Sequence, residues 1–94
     1  MSEVCLSGRL ICQNSSESGL VAEHLPLHTE LTRAEPGCIS FEVAPSDNPL
    51  VWLVEERFTN AEAFRNHQAR VAGSLWGRVT REIIRDYEVT GLEN

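Results

Sequence analysis

Alternating hydrophobic and polar positions occur in four short segments of this chain, and hydrophobic residues recur at helical spacing in two longer segments between them. Alternation is typical of β-strands, because successive side chains of a strand point to opposite faces of a sheet. The pattern therefore predicts four strands with helical segments between them. The predicted strands cover residues 4–13, 38–43, 50–58 and 83–90.

The first predicted helix extends from about Ser18 to Ala34. Pro26 lies inside it and lacks a backbone donor, so we expect the helix to be kinked or split there. The Pro36-Gly37 pair should end the helix, since proline and glycine interrupt helical backbone. The chain then turns back into the second strand.

The second predicted helix begins near Thr59, which stands at capping-box spacing from Glu62, while Asn60 is a competing cap. Gly73 is expected to end this helix. Hydrophobic residues between Gly73 and Val79 indicate one further short helix before the last strand.

The order β-α-β-β-α-β predicts one α+β domain over residues 1–94, of the ferredoxin-like type, with an antiparallel sheet and helices on one face. The other face of the sheet is half apolar, because Ile11, Val51 and Leu53 lie beside charged residues. A second subunit would cover such a face. The sequence therefore predicts a homodimer packed sheet to sheet.

Cys38 opens the second predicted strand, where strict alternation places it with Ser40 and opposite Ile39 and Phe41. A reactive thiol needs a neighbouring cation or a helix N-terminus to lower its pKa. Cys38 instead follows a helix C-terminus, whose partial negative charge disfavours the thiolate. We therefore expect Cys38 to pack rather than to react.

The composition and charge of the chain argue against several classes of function. The chain of 94 residues has a net charge of −6, which argues against nucleic acid and anionic membrane surfaces as partners. All eight basic residues are arginine, so lysine Schiff-base chemistry and a P-loop are both excluded. The chain has no GxGxxG motif for a flavin or nicotinamide cofactor and no apolar run of membrane-spanning length. Three cysteines, two of them far apart on one predicted strand, fit a reducing cytoplasmic compartment.

The segments TRAEPGCISFEV and VWLVEERFTNAEAFRNHQAR resemble the antibiotic biosynthesis monooxygenase family. The motif residues are Glu35, Pro36, Gly37 and Cys38 in the turn, Glu56 and Phe58 on the third strand, and Phe64 and His67 on the second helix. The resemblance extends from Val4 to about Leu92. It implies a dimeric α+β barrel that holds its substrate between the helices and the sheet of each subunit.

The same resemblance implies a cofactor-independent monooxygenase that oxidises a small aromatic substrate, quinol or anthrone-like, with O2. Haem-degrading relatives use an asparagine on the first strand, where this chain has Ser7 and Arg9, so haem chemistry is not expected. The alternative is a non-catalytic dimeric module of the same fold that binds a small ligand or a partner.

His67 and Glu56 are the catalytic candidates. His67 shares a helical stripe with Phe64 and Val71, so it should face the sheet, either as a general base or as a buried histidine with a structural partner. Glu56 lies on an otherwise apolar strand face, where a buried carboxylate needs a partner. Paired with His67 it would fix the imidazole tautomer, and the alternative is an exposed carboxylate at the strand end.

Five further side chains are candidates for substrate binding. His28 should point inward from the first helix, and no third ligand accompanies it and His24, so no metal site is expected. Large aromatic groups would form an apolar wall, or would simply pack in the core. The predicted substrate-binding residues are His28, Trp52, Phe64, Trp76 and Tyr87.

Overall fold

Four strands and three helices follow one another along residues 2–92, the part of the chain that the computed structural model describes. The elements are β1 (Val4–Ile11), α1 (Ser15–Arg33), β2 (Cys38–Pro45), β3 (Val51–Phe58), α2 (Ala61–Ala72), α3 (Leu75–Val79) and β4 (Ile84–Thr90). The strands pair in the order β2-β3-β1-β4, and every pairing is antiparallel. This confirms the ferredoxin-like prediction.

The core lies between the helices and one face of the sheet. Val4, Leu6 and Leu10 of β1 point into it and are buried almost completely, as alternation requires. Phe58 of β3 and Val21 of α1 are fully buried against the same layer. The site described below lies in this layer.

Side-chain caps fix the beginnings of the two longer helices. Asn14 accepts a hydrogen bond from the backbone of Glu17, so α1 begins earlier than the sequence indicated. Asn60, and not Thr59, caps α2 by accepting from the backbone of Ala63. Of the two outcomes expected at Pro26, a kink or a split, the split does not occur, since α1 is continuous through this residue.

A β-bulge at the start of β2 overturns the predicted strand faces. Cys38 pairs with Phe58 and Ser40 pairs with Arg57, so Ile39 is an extra residue on β2. Cys38 therefore lies on the core side with Phe41, and Ile39 is exposed. Strict alternation had placed Cys38 on the opposite face.

The turn between α1 and β2 depends on Gly37. Its φ of 88° lies in the left-handed region that glycine adopts without strain. A Cβ atom there would lie 2.5 Å from Cβ of Ala63. The carbonyl of Gly37 also accepts a hydrogen bond from the backbone of Thr59, at 2.8 Å, which ties the turn to the segment before α2.

The outer face of the sheet carries exposed apolar side chains beside charged ones. Leu53 and Ile84 keep 46% and 49% of their surface exposed. The side chains of Arg9 and Asp86 form an ion pair on the same face. No helix within residues 2–92 combines the length and the apolar character needed to cross a membrane.

Candidate active site

A small cavity lies between the helices and the sheet, with a volume of about 40 Å³. Its wall combines apolar side chains with five ionisable groups. These are His28 from α1, Glu56 from β3, His67 from α2, and Arg85 and Tyr87 from β4. The core layer therefore contains a polar site.

Glu35 fixes the orientation of the His67 imidazole through a contact with Nδ1. Nδ1 of His67 lies 2.9 Å from Oε1 of Glu35, and only 3% of the imidazole is exposed. Because an ionised carboxylate is acceptor-only, the pair places the proton on Nδ1 and the lone pair on Nε2. Burial lowers the pKa of His67, and the charge of Glu35 opposes that shift in part. A neutral imidazole with a free Nε2 can accept a proton.

Glu35 is itself fixed by two further residues. Its Oε2 accepts a hydrogen bond from Nε of Arg70, one turn of α2 beyond His67. Arg70 also donates to Oγ1 of the fully buried Thr32 on α1, at 3.0 Å. Each carboxylate oxygen of Glu35 thus has one partner, and the side chain is held in a single orientation.

Glu56 faces the other nitrogen of His67. Its Oε1 lies 3.8 Å from Nε2, which is too long for a hydrogen bond, and this buried oxygen has no partner within residues 2–92. Burial, and next the charge of Glu35, raise the pKa of Glu56 to about 7. The carboxyl group therefore exchanges a proton near neutral pH.

His28 stacks on Trp76 at the helical side of the cavity. The two ring centroids are 4.4 Å apart and the planes are nearly parallel, at 4°. Nδ1 of His28 is buried and has no hydrogen-bond partner in the described part of the chain. Burial is the main cause that lowers the pKa of His28 to about 3, and the charges of His67, Arg70 and Arg85 add to it. His28 is therefore neutral at physiological pH.

Tyr87 and Arg85 complete the site from the edge strand β4. Arg85 is anchored by hydrogen bonds from its guanidinium to both the carbonyl and the hydroxyl of Thr80. Burial raises the pKa of Tyr87 to about 12, so its hydroxyl stays protonated and can donate.

Five of the seven predicted site residues meet in this cavity, and two do not. Trp52 and Phe64 are absent from its wall. Trp52 lies near the beginning of α1, where its indole donates to the hydroxyl of Ser18. Phe64 packs edge to face against Phe58 in the core. The aromatic wall is consequently smaller than the sequence suggested.

The partner of His67 also differs from the prediction. Glu35 contacts Nδ1, whereas Glu56, the predicted partner, lies beyond hydrogen-bond distance. Glu35 had a signal in the sequence, because it stands seven residues after His28 on one helical stripe and belongs to the Glu-Pro-Gly-Cys turn. Apart from its positive charge, nothing in the sequence indicated that Arg70 belongs to the site.

Cys38 lies near the site but carries no activated thiol. Burial raises its pKa, and the charges of Glu35 and Glu56 raise it further. Within residues 2–92, no three side chains of the types that ligate metals come close enough to form a metal site.

Comparisons with known proteins match this architecture. The family model described as Antibiotic biosynthesis monooxygenase matches residues 15–72. SnoaB of Streptomyces nogalater, a cofactor-independent oxygenase, superposes with a TM-score of 0.79 at 12% identity, over 100% of this chain and 96% of that chain. A candidate antibiotic biosynthesis monooxygenase of Deinococcus radiodurans gives 0.77 at 19% identity, over 97% and 93%. A protein of Shewanella oneidensis gives 0.74 at 24% identity, over 93% and 85%.

These identities are low, so the solved structures establish likeness of fold alone. A search of curated proteins finds no significant match.

Proposed function

This chain belongs to the antibiotic biosynthesis monooxygenase family, and on that premise we propose that it is a cofactor-independent monooxygenase. Its substrate is a small aromatic molecule, quinol or anthrone-like, which reacts with O2 in the cavity between the helices and the sheet. The family match confirms the resemblance found in the sequence, and the substrate class is the proposed part.

The Glu35–His67 pair is the observation that carries this proposal. A general base needs a free lone pair, a fixed tautomer and a pKa that leaves it neutral at the working pH. His67 has all three, because Glu35 holds Nδ1 and burial disfavours the imidazolium. Once His67 takes a proton, the adjacent carboxylate of Glu35 stabilises the imidazolium.

The reaction needs no external reductant. His67 removes a proton from an acidic carbon or hydroxyl of the substrate, and the resulting anion passes one electron to O2. Recombination of the radical pair forms a carbon–oxygen bond and gives a hydroperoxide after protonation. At a carbon that began as a methylene group, loss of water then gives a carbonyl. One oxygen atom ends in the substrate and the other in water, and the substrate supplies all the electrons.

Glu56 and Tyr87 have the properties of groups that stabilise the anion. Tyr87 keeps its proton and can donate to a substrate oxygen. Glu56 carries a buried oxygen without a protein partner and a pKa of about 7, so it can donate when protonated or accept when ionised. In the proposed reaction, Glu56 protonates the hydroperoxide or the oxygen atom that leaves it.

A homodimer packed through the outer sheet face is part of the proposal. The exposed Leu53 and Ile84 lie on that face, and a second sheet would cover them. The cysteines Cys5, Cys12 and Cys38 are all free thiols, which fits the cytoplasm as the site of action.

Oxygen uptake tests the proposed activity. Purified metal-free protein is mixed with a panel of hydroquinones and anthrones, and O2 consumption is compared between wild type, His67→Gln and Glu30→Gln. Glu30 is an exposed residue of α1 outside the cavity wall, so Glu30→Gln is the control. We expect uptake in wild type and in Glu30→Gln, and loss of at least about a hundredfold in His67→Gln. Saturable binding of the same compounds without uptake would support the non-catalytic binding module instead.

A further inference from the structure

An apolar groove lies on the outer surface of the helical layer, on the far side of the stacked pair described above. Leu27 and Leu31 of α1 and Leu75 of α3 line it, and each keeps between 45% and 56% of its surface exposed. Large aliphatic side chains that lie together in the open are unusual on a monomer surface. This groove has no part in the proposed proton transfer.

The groove and the inner cavity share two wall residues. His28 and Trp76 line both, so the stacked rings form the partition between them. Neither ring makes a side-chain hydrogen bond within residues 2–92, and Nδ1 of His28 is a buried atom without a partner. Rotating the pair aside therefore breaks packing contacts and no hydrogen bond.

The partition has to move if the cavity is to take an aromatic ring. The inner cavity measures about 40 Å³. A protein cavity known to bind benzene has about 150 Å³. The groove adds a further space of about 40 Å³ directly behind His28 and Trp76, and the two rings would also vacate their own volume on moving. Displacing these two rings is the rearrangement that joins the two spaces.

We infer that the cavity and the groove form one bipartite binding site, whose substrate carries an apolar extension that lies along Leu27, Leu31 and Leu75. This inference rests on the proposed function for the reacting ring. The ring occupies the cavity beside His67, the extension passes the displaced His28–Trp76 pair, and its far end covers the exposed leucines. The substrate class is thus an aromatic nucleus with an alkyl or similar apolar substituent, and not a bare polar quinol.

The composition of the groove supports an apolar occupant. Its three leucines provide the contact area, and burying apolar surface is what gives an alkyl chain its affinity. Its Arg70 is already engaged by Glu35 and Thr32, so this guanidinium is not free to bind an anionic substituent. An uncharged hydrocarbon extension therefore fits better than a charged one.

Binding of two redox-stable analogues, phenol and 4-hexylphenol, tests the inference. Affinities are measured by calorimetry for wild type, Leu27→Glu, Leu75→Glu and Ile39→Glu. Ile39 is an exposed aliphatic residue on β2, away from the groove, and serves as the matched control. Circular dichroism and thermal melting establish that each variant is folded, as exposed positions should allow.

We expect 4-hexylphenol to bind wild type at least about tenfold more tightly than phenol. Leu27→Glu and Leu75→Glu should remove most of that advantage and leave phenol affinity within about twofold, while Ile39→Glu changes neither. An advantage that survives both groove variants, or that Ile39→Glu lowers equally, overturns the inference.

A fluorescence measurement tests the partition separately. In a Trp52→Phe background all indole emission comes from Trp76, since the chain has two tryptophans. Saturation with 4-hexylphenol should change this emission, and an unchanged spectrum at saturation overturns the displacement of the stack. Neither analogue needs to be oxidised, so these results are independent of oxygen uptake. If the alkyl group strengthens binding but no substrate supports O2 consumption, the bipartite site is retained and the oxygenase is rejected.

Discussion

Oε1 of Glu35 lies 2.9 Å from Nδ1 of His67, although the two residues are 32 positions apart in the chain. Glu35 stands in the turn after α1 and His67 stands in the middle of α2, so the pair forms only when both helices pack on the sheet. The contact is buried, with 14% of the Glu35 side chain exposed. Orientation of the proposed base therefore depends on the tertiary fold.

Replacing Glu35 with glutamine tests this dependence. The amide keeps the size of the side chain but removes the charge that stabilises an imidazolium at His67. We expect turnover to fall by about 10- to 100-fold while substrate affinity changes little, because His67 itself remains. The ¹⁵N shifts of the His67 ring should also show loss of the single Nδ1–H tautomer, which a merely structural role would not require.

Glu30→Gln is the control for that experiment. It makes the same chemical change at an exposed position of α1, outside the cavity wall. Turnover and ring shifts should stay at wild-type values. Equal effects of the two variants would mean that Glu35 has no special relation to His67.

Glu56 should make stability depend on pH with an unusual sign. Its pKa is raised from 4.5 to about 7 in the folded protein, so the folded state binds more protons than the unfolded state between these values. The free energy of unfolding therefore falls as pH rises through this window, by about 3 kcal/mol at most. In Glu56→Gln this contribution is absent, so the variant gains stability relative to wild type from about pH 5 to about pH 8.

Urea unfolding at about pH 5 and at about pH 8 measures this change in stability, with Glu55→Gln as control. Glu55 is the neighbouring residue on β3 and is exposed on the opposite face of the sheet. The difference between wild type and variant should grow with pH for Glu56→Gln alone. Parallel curves for Glu56→Gln and wild type would show that the carboxyl group is not perturbed.

The sequence predicted the fold because local rules decide most of it. Alternation marked the four strands, the Pro36-Gly37 pair and Gly73 marked the C-terminal ends of the two longer helices, and the order of elements admits few topologies. It also indicated that His28 and His67 point inward, since each stands on an apolar helical stripe. These inferences need only the periodicity of one element at a time.

The remaining features depend on contacts between elements. Strict alternation could not reveal the bulge at Ile39, because an extra residue is accommodated only by the pairing with β3. The choice of Glu35 over Glu56 as partner of His67 depends on where the turn after α1 lies relative to α2. Trp52 points to the core side as predicted, but its position along β3 places it beyond the cavity.

Gly37 should be sensitive to a single added methyl group. Its φ of 88° and the 2.5 Å approach of Ala63 both oppose a side chain, so Gly37→Ala is expected to lower stability by about 2 kcal/mol or more. Gly19→Ala is the matched comparison, since Gly19 lies in α1 with no atom within 4 Å of an added Cβ. That change should raise stability by about 0.5–1 kcal/mol. Thermal or urea unfolding measures both changes in stability. Changes of the same sign in Gly37→Ala and Gly19→Ala would contradict the role of the turn.

The proposed dimer predicts opposite outcomes for two leucine variants. Leu53→Glu places a charge on the outer sheet face, and Leu27→Glu places the same charge on the helical side. Sedimentation velocity at micromolar concentration should show a dimer for wild type and Leu27→Glu, and a monomer for Leu53→Glu. A dimer that tolerates Leu53→Glu would place the interface elsewhere.

Isotope labelling tests the oxygenase and its base most directly. A substrate that supports oxygen uptake is converted under oxygen-18 gas, and the product is analysed by mass spectrometry for wild type and His67→Gln. We expect one labelled oxygen atom per product molecule with wild type, and no incorporation above the uncatalysed blank with His67→Gln. Product that is unlabelled, or labelled equally by both proteins, would contradict a monooxygenase whose base is His67.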